Sequence, residues 1–224
     1  MATGHYARTK NGKLLMAKDA DKDQTYFLYR VDSKALESTV FPLGDYTKKQ
    51  VRQLAKRCHL WTADKKESMG VCFVGQVGMR EFLSQYVQTR PGDIVDETGQ
   101  KLGRHDGAIF YTIGQRHGLD LGGGLPYYVT GKDVNKNLVY VSRNLQSAEI
   151  WRDEFQIDNL HWISGQAPNG SLDLRLRIRH RAPLVDCRLE GNQVKLDQAE
   201  RAITAGQSAV FYAGEECLGG GIVS

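Results

Sequence analysis

Leu174-Arg175-Leu176-Arg177-Ile178-Arg179-His180-Arg181 alternates aliphatic and basic side chains almost without interruption. A period of two belongs to a β-strand, which sends successive side chains to opposite faces. The stretch, with Leu172 just before it, therefore reads as a strand with an aliphatic face and an arginine face. Arginines on one face recur at roughly 7 Å, a spacing that suits a phosphate track, and guanidinium forks bind phosphate oxygens two at a time. Two readings of that face stay open: contact with a nucleic-acid backbone, or a solvated face paired with Asp and Glu of neighbouring strands. Working outward, Gln193 to Leu196 and Ser208 to Tyr212 suit further short strands. Residues 148–224 thus read as a small antiparallel β-barrel.

Upstream the pattern changes. From about Pro91, turn signals such as Asp96-Glu97-Thr98-Gly99 and Gly122-Gly123-Gly124 separate short alternating runs, so residues 81–147 read as a β-rich central domain. Before that the period is mostly helical. Thr47-Lys48-Lys49-Gln50 has the spacing of a capping box, and Val51, Leu54, Ala55 and Cys58 follow at i, i+3, i+4 and i+7, which predicts a helix with Cys58 in the core. Met79, Phe82, Leu83 and Tyr86 predict a second helix. Helices and strands segregate along the chain, the mark of an α+β protein with three parts at 1–80, 81–147 and 148–224.

The 224 residues are 41% apolar and 25% charged, the composition of a soluble globular chain rather than a disordered or fibrous one. No apolar run reaches the roughly 18 residues of a membrane span, and Met1-Ala-Thr-Gly-His-Tyr is no signal-peptide core, so a cytoplasmic protein is expected, with no membrane partner. The 30 Lys and Arg against 26 Asp and Glu leave +4, which permits nucleic-acid binding without requiring it. Cys58, Cys72, Cys187 and Cys217 are far apart, with no CxxC pair and no zinc-ligand spacing.

Four segments could carry chemistry. Cys72 lies in Ser68-Met69-Gly70-Val71-Cys72-Phe73-Val74-Gly75, a glycine-bounded stretch of neither helical nor strand period, downstream of Lys65 and Lys66. Nearby cations favour the thiolate that sulfur transfer needs, although a buried structural thiol is the alternative. Thr3-Gly4-His5-Tyr6 and Asp21-Lys22-Asp23-Gln24-Thr25 are dense in hydrogen-bonding groups; against a binding role stand His5 as a core histidine and Asp23 as the N-cap of a helix begun by Tyr26-Phe27-Leu28-Tyr29. Thr112-Ile113-Gly114-Gln115-Arg116-His117-Gly118 reads either as a polar loop touching a ligand or as a tight turn. No GxxxxGK[ST], GxGxxG or Ser-Gly-Gly-x-Asp-Ser phosphate loop is present.

Ala2-Thr3-Gly4-His5-Tyr6-Ala7-Arg8, Lys22-Asp23-Gln24-Thr25-Tyr26-Phe27-Leu28, Phe41-Pro42-Leu43-Gly44, Gly70-Val71-Cys72-Phe73-Val74-Gly75, Tyr111-Thr112-Ile113-Gly114-Gln115-Arg116 and Gly206-Gln207-Ser208-Ala209-Val210-Phe211-Tyr212 together resemble, in order and across the chain, the tRNA-specific 2-thiouridylases of the MnmA/TrmU type. The resemblance implies that residues 1–80 are the remnant of an α/β nucleotide-binding domain whose Ser-Gly-Gly-x-Asp-Ser loop and first catalytic cysteine are missing here. The chain is then expected to be a C-terminal portion of the enzyme that does not thiolate alone.

In that family ATP, with Mg expected beside it, adenylates the C2 oxygen of the wobble uridine, and a cysteine persulfide supplies the sulfur. Cys72 matches the persulfide-bearing cysteine, which a sulfur-donor protein (a sulfur relay protein or a cysteine desulfurase) would charge. The first cysteine would release the sulfur and leave a disulfide to Cys72 that must be reduced. The resemblance also implies ATP contact at Gly4 and tRNA contact at His5, at Lys22, Asp23 and Gln24, at Arg179 and His180, and at Gln207. At His180 an imidazole replaces the phenol of relatives. Cys58, Cys187 and Cys217 match no catalytic position. Two rivals remain, a tRNA-docking module without chemistry and a barrel that docks protein.

Overall fold

A computed structural model describes residues 1–65, 79–122, 124–144, 151–168 and 174–224. It confirms an α+β fold, and the chain forms two compact units: Met1–Lys65 together with Asp153–Ser224, and Lys66–Arg152.

The first segment opens with a hairpin of β1 (Arg8–Lys10) and β2 (Lys13–Leu15). Asn11 and Gly12 turn it, at φ 51° and 74°. Both central residues of such a turn need positive φ, which Asn-Gly accepts most readily. The helical reading of this zone passes over that signal. Helices α1 (Thr25–Leu28), α2 (Ser33–Glu37) and α3 (Lys48–Arg57) follow. The capping box of α3 is present: Thr47 Oγ1 accepts from the Gln50 amide at 3.3 Å, and Gln50 Oε1 accepts from the Thr47 amide at 2.8 Å. Cys58, expected in the core, is instead exposed at the helix C-cap. The periodicity of α3 marks an apolar face correctly, but among the described residues that face is not buried.

In the second unit, α4 (Met79–Ser84) is followed by β3 (Gly92–Val95), β4 (Lys101–His105), a 3-10 turn at Ala108–Phe110, β5 (Tyr128–Asp133) and β6 (Leu138–Ser142). The sheet order is β4-β3-β6-β5, with β3 and β6 parallel and the other pairs antiparallel. Asp96 Oδ1 closes the β3–β4 turn by accepting from the Thr98 and Gln100 amides, both at 2.9 Å. Ile94, Val129, Val139 and Val141 are the fully buried heart of this unit. His105 is buried beside them, and that burial holds its imidazole below the usual range.

The last segment supplies β7 (Trp151–Trp162), β8 (Leu174–Arg177), β9 (Val185–Glu190), β10 (Gln193–Arg201), β11 (Ser208–Ala213) and β12 (Glu216–Val223). Their order, β12-β11-β8-β9-β10-β7, closes when β7 pairs with β12, giving a six-stranded antiparallel barrel. Leu174, Leu176 and Ile178 point into it with Ile157, Leu196 and Phe211, as the aliphatic alternation requires. Leu172 lies outside the described residues.

β2 also pairs with β12, through Leu15–Glu216 and Leu14–Cys217, and so adds the N-terminal hairpin to the barrel sheet. Leu14, Tyr26, Tyr29 and Leu36 then pack against Val210, Tyr212 and Cys217 on the barrel's outer face. The segment read from sequence as the remnant of another domain finds its apolar cover here. This is why residues 1–65 fold with 153–224.

Candidate nucleic-acid interface

The arginine face of β8 is not an open phosphate track, because the strand ends at Arg177 and its arginines are drawn into the protein. Arg177 is only 7% exposed; its Nη1 donates to Asp23 Oδ2 at 2.9 Å, and its guanidinium lies 5.2 Å from the Tyr212 ring centre. Arg175 donates to the Gly214 carbonyl at 2.9 Å. Arg179 donates through Nη2 to the Arg201 and Ala202 carbonyls. Arg181, past the strand end at φ 65°, stays exposed. A strand buried on both faces cannot present a row of cations to solvent, and β8 is covered on its outer side by the N-terminal segment.

Asp23 is the centre of that cover. Its Oδ1 accepts from the Ala17 amide at 3.1 Å and the Thr25 amide at 3.4 Å, and its Oδ2 accepts from Thr25 Oγ1 at 2.8 Å as well as from Arg177. Thr25 Oγ1 reaches the Tyr212 hydroxyl at 3.1 Å. The N-cap role expected of Asp23 falls to Gln24, which makes no side-chain cap bond. Gln24 instead grips the Tyr6 backbone: its Oε1 accepts from the Tyr6 amide and its own amide donates to the Tyr6 carbonyl, both at 2.9 Å. This holds Gly4-His5-Tyr6 beside Lys22-Asp23-Gln24. His5, half-buried rather than a core residue, pairs through Nδ1 with Thr3 Oγ1 at 2.8 Å. Gly4 is exposed, and a Cβ there would meet only Leu43 Cδ1 at 4.0 Å, so packing does not require the glycine.

Helix α1 then ties these groups to the barrel. The Tyr26 hydroxyl lies between the carbonyls of Ile178 at 2.9 Å and Ser208 at 3.0 Å and shares its one proton with them, and burial pushes its pKa up to about 12. Arg179 and His180 follow the first of those carbonyls and Gln207 precedes the second. Gln207 is half-buried and accepts through Oε1 from the Thr204 amide at 3.1 Å. Phe27 lays its ring 4.6 Å from that of His180. Seven of the nine residues singled out by the sequence, His5, Lys22, Asp23, Gln24, Arg179, His180 and Gln207, are therefore joined through α1 and its two neighbouring turns. Gly4 borders them, and Cys72 lies outside the described residues.

Phe27 escaped the sequence reading because an aromatic residue in an apolar run reads as core; its neighbour Tyr26 does turn inward. In the other unit, the 112–118 segment is a closed turn. Gln115 accepts from the Thr112 amide at 3.1 Å and donates to the His117 carbonyl at 2.8 Å, leaving Arg116 and His117 exposed.

Family profiles match in sequence: a tRNA methyl transferase HUP domain over residues 1–76, a tRNA methyl transferase PRC-barrel domain over 80–143 and an aminomethyltransferase beta-barrel domain over 152–223. The whole chain is 42% identical to the tRNA-specific 2-thiouridylase MnmA of Bacillus subtilis (strain 168), covering 63% of that protein. It is likewise 42% identical to the MnmA of Francisella philomiragia, covering 66% of it. The chain belongs to the MnmA/TrmU family of tRNA-specific 2-thiouridylases. It spans somewhat under two thirds of the length of these relatives.

Cys187 and Cys217 are buried free thiols, each pushed up to about 12 by burial. Burial therefore keeps both protonated, and a buried thiol is a poor nucleophile. Among the described residues no three His, Cys, Asp or Glu side chains converge as metal ligands. The sequence holds no phosphate-binding loop. No helix of the described residues is long and apolar enough to cross a membrane.

Proposed function

We propose that this chain carries the tRNA-holding surface and the persulfide cysteine of an ATP-dependent uridine 2-thiolation enzyme. The observation that carries the reading is the convergence on α1 of His5, Lys22 to Gln24, Arg179, His180 and Gln207 from three separate stretches of sequence. In the proposed reaction ATP activates the C2 oxygen of the wobble uridine as its adenylate. The terminal sulfur of a persulfide on Cys72, charged by a sulfur-donor protein, adds to C2, and AMP departs with the former oxygen. A second cysteine thiolate then attacks the Cys72 sulfur and breaks the S–S bond. The sulfur stays on the uridine, and the resulting disulfide needs a two-electron reductant before the next turnover. The cytoplasm, where tRNA and the donor occur together, is the proposed location.

The test is tRNA binding at two salt concentrations. Affinity should fall steeply with salt, because cations that replace phosphate counterions set the slope. Binding that is absent, or indifferent to salt, would sink the reading. Arg181→Ala is the better cationic variant, since Arg179→Ala also frees the carbonyls at 201 and 202.

A second expectation concerns the thiols. Native-state alkylation at pH 8 should modify Cys58 and Cys72 within minutes and leave Cys187 and Cys217 intact until the protein is unfolded. Mass spectrometry after a brief polysulfide pulse should place added sulfur on Cys72 in preference to Cys58. Equal loading of the two would remove the case for a special thiol.

A further inference from the structure

Phe27 is 59% exposed although it sits on a helix whose preceding residue, Tyr26, is buried. Exposure alone does not set it apart, since single exposed aromatic residues are ordinary and Trp61 and Tyr86 are more exposed still; what distinguishes Phe27 is the set of rings that hold it. The ring is not loose: Tyr26 meets it edge-on at 5.4 Å and 82°, and His180 lies against it at 4.6 Å and 40°. Tyr26 is itself pinned to the Ile178 and Ser208 carbonyls, so Phe27 and His180 are held from both sides of the α1–barrel junction. Burial, reinforced by the neighbouring Arg181, keeps the His180 imidazole below its usual range and hence uncharged at neutral pH. A neutral imidazole offers a flat aromatic ring rather than a hydrated cation. Arg181, next to His180 in the chain and close enough to act on its imidazole, is exposed, whereas the Arg179 guanidinium is held by the Arg201 and Ala202 carbonyls.

We infer that Phe27 and His180 form an aromatic shelf on which one unpaired nucleobase of the tRNA stacks, while the exposed Arg181 guanidinium meets a neighbouring phosphate. The inference rests on the tRNA reading above and deepens it. An aromatic face beside an exposed cation fits a base with its phosphate better than it fits an apolar peptide, because only the former brings a π-surface and an anion at adjoining points. The base must be unpaired, since in a duplex both its faces are already stacked.

The experiment measures binding of tRNA, and of a fully paired RNA stem of similar charge, to the whole chain and to Phe27→Ala, Phe27→Leu and Phe27→Trp. Phe27 is exposed, so thermal unfolding should be unchanged by all three. Phe27→Ala and Phe27→Leu should each weaken tRNA binding about 10- to 100-fold, the range for loss of one base–aromatic stack, with the salt dependence unaltered and paired RNA unaffected. Phe27→Trp should keep the affinity. Its fluorescence, read as the difference from the parent with its three tryptophans, should be quenched by tRNA. If Phe27→Ala and Phe27→Leu bind tRNA as the parent does, the shelf is wrong and the tRNA reading stands. A loss that flattens the salt dependence, or that affects paired RNA equally, also overturns the shelf. If the parent itself shows no salt-sensitive tRNA binding, the tRNA reading fails and takes the shelf with it.

Discussion

Asp23→Ala is expected to destabilise the unit formed by residues 1–65 and 153–224 by about 3–5 kcal/mol, the cost of stranding one member of a buried ion pair. The reason lies in what remains. Arg177 would keep its charge with almost no access to water, and its Nε already lacks a partner. The Ala17 and Thr25 amides and the Thr25 hydroxyl would each lose an acceptor as well. Chemical denaturation followed by circular dichroism measures the loss directly. The double variant Asp23→Leu, Arg177→Met should recover much of it, because removing both charges leaves no buried ion to compensate. The pair also tests what Asp23 does for RNA. With both carboxylate oxygens occupied inside the protein, it should act by positioning Lys22, Gln24 and α1. The double variant should therefore regain tRNA affinity along with stability. A stable double variant that still fails to bind would return Asp23 to the contact surface.

Gly219→Ala and Gly220→Ala are each expected to cost about 3 kcal/mol, the upper end for overpacking a tight site. At Gly219 the backbone has φ 146°, and an added Cβ would lie 2.1 Å from the His161 carbonyl oxygen. At Gly220 it would lie 2.4 Å from the Ala209 oxygen and 3.0 Å from Tyr29 Cδ2. The His161 and Ala209 oxygens are main-chain atoms of β7 and β11, which cannot retreat without breaking the ladders that close the barrel. Bare glycine at 220 is also what lets Tyr29, and with it the N-terminal segment, lie flat on β12. Gly4→Ala is the control, expected to change stability by less than about 0.5 kcal/mol, because nothing crowds that position. If Gly220→Ala unfolds at the same denaturant concentration as the parent, the seam is looser than the described geometry.

The strands were legible where the period-two signal had one buried face. Leu174, Leu176 and Ile178 announce the barrel interior, and the Asp96 turn and the Thr47–Gln50 cap lie where their side chains predict. Local chemistry decides such features, since each bond spans only a few residues. Partnership was not legible. The arginine face suggested solvent or phosphate because nothing near Arg177 in sequence reveals that Asp23, 154 positions away, will neutralise it. Cys58 suggested core because a helical period marks an apolar face without saying what covers it. Gly219-Gly220-Gly221 shows only as a glycine run within a strand, a pattern that signals close backbone approach without naming the neighbour.

Sequence alone therefore determined the family, the barrel and most of the residues that gather at α1, because ordered motifs and side-chain periods are written along the chain. Only the tertiary structure decided that residues 1–65 fold with the barrel, that Arg177 is an internal counter-ion, and that Phe27 faces outward while Tyr26 and Tyr29 beside it turn inward. Each of those outcomes depends on which surface a distant segment covers. Burial of that kind is a property of the packed chain and has no local signal.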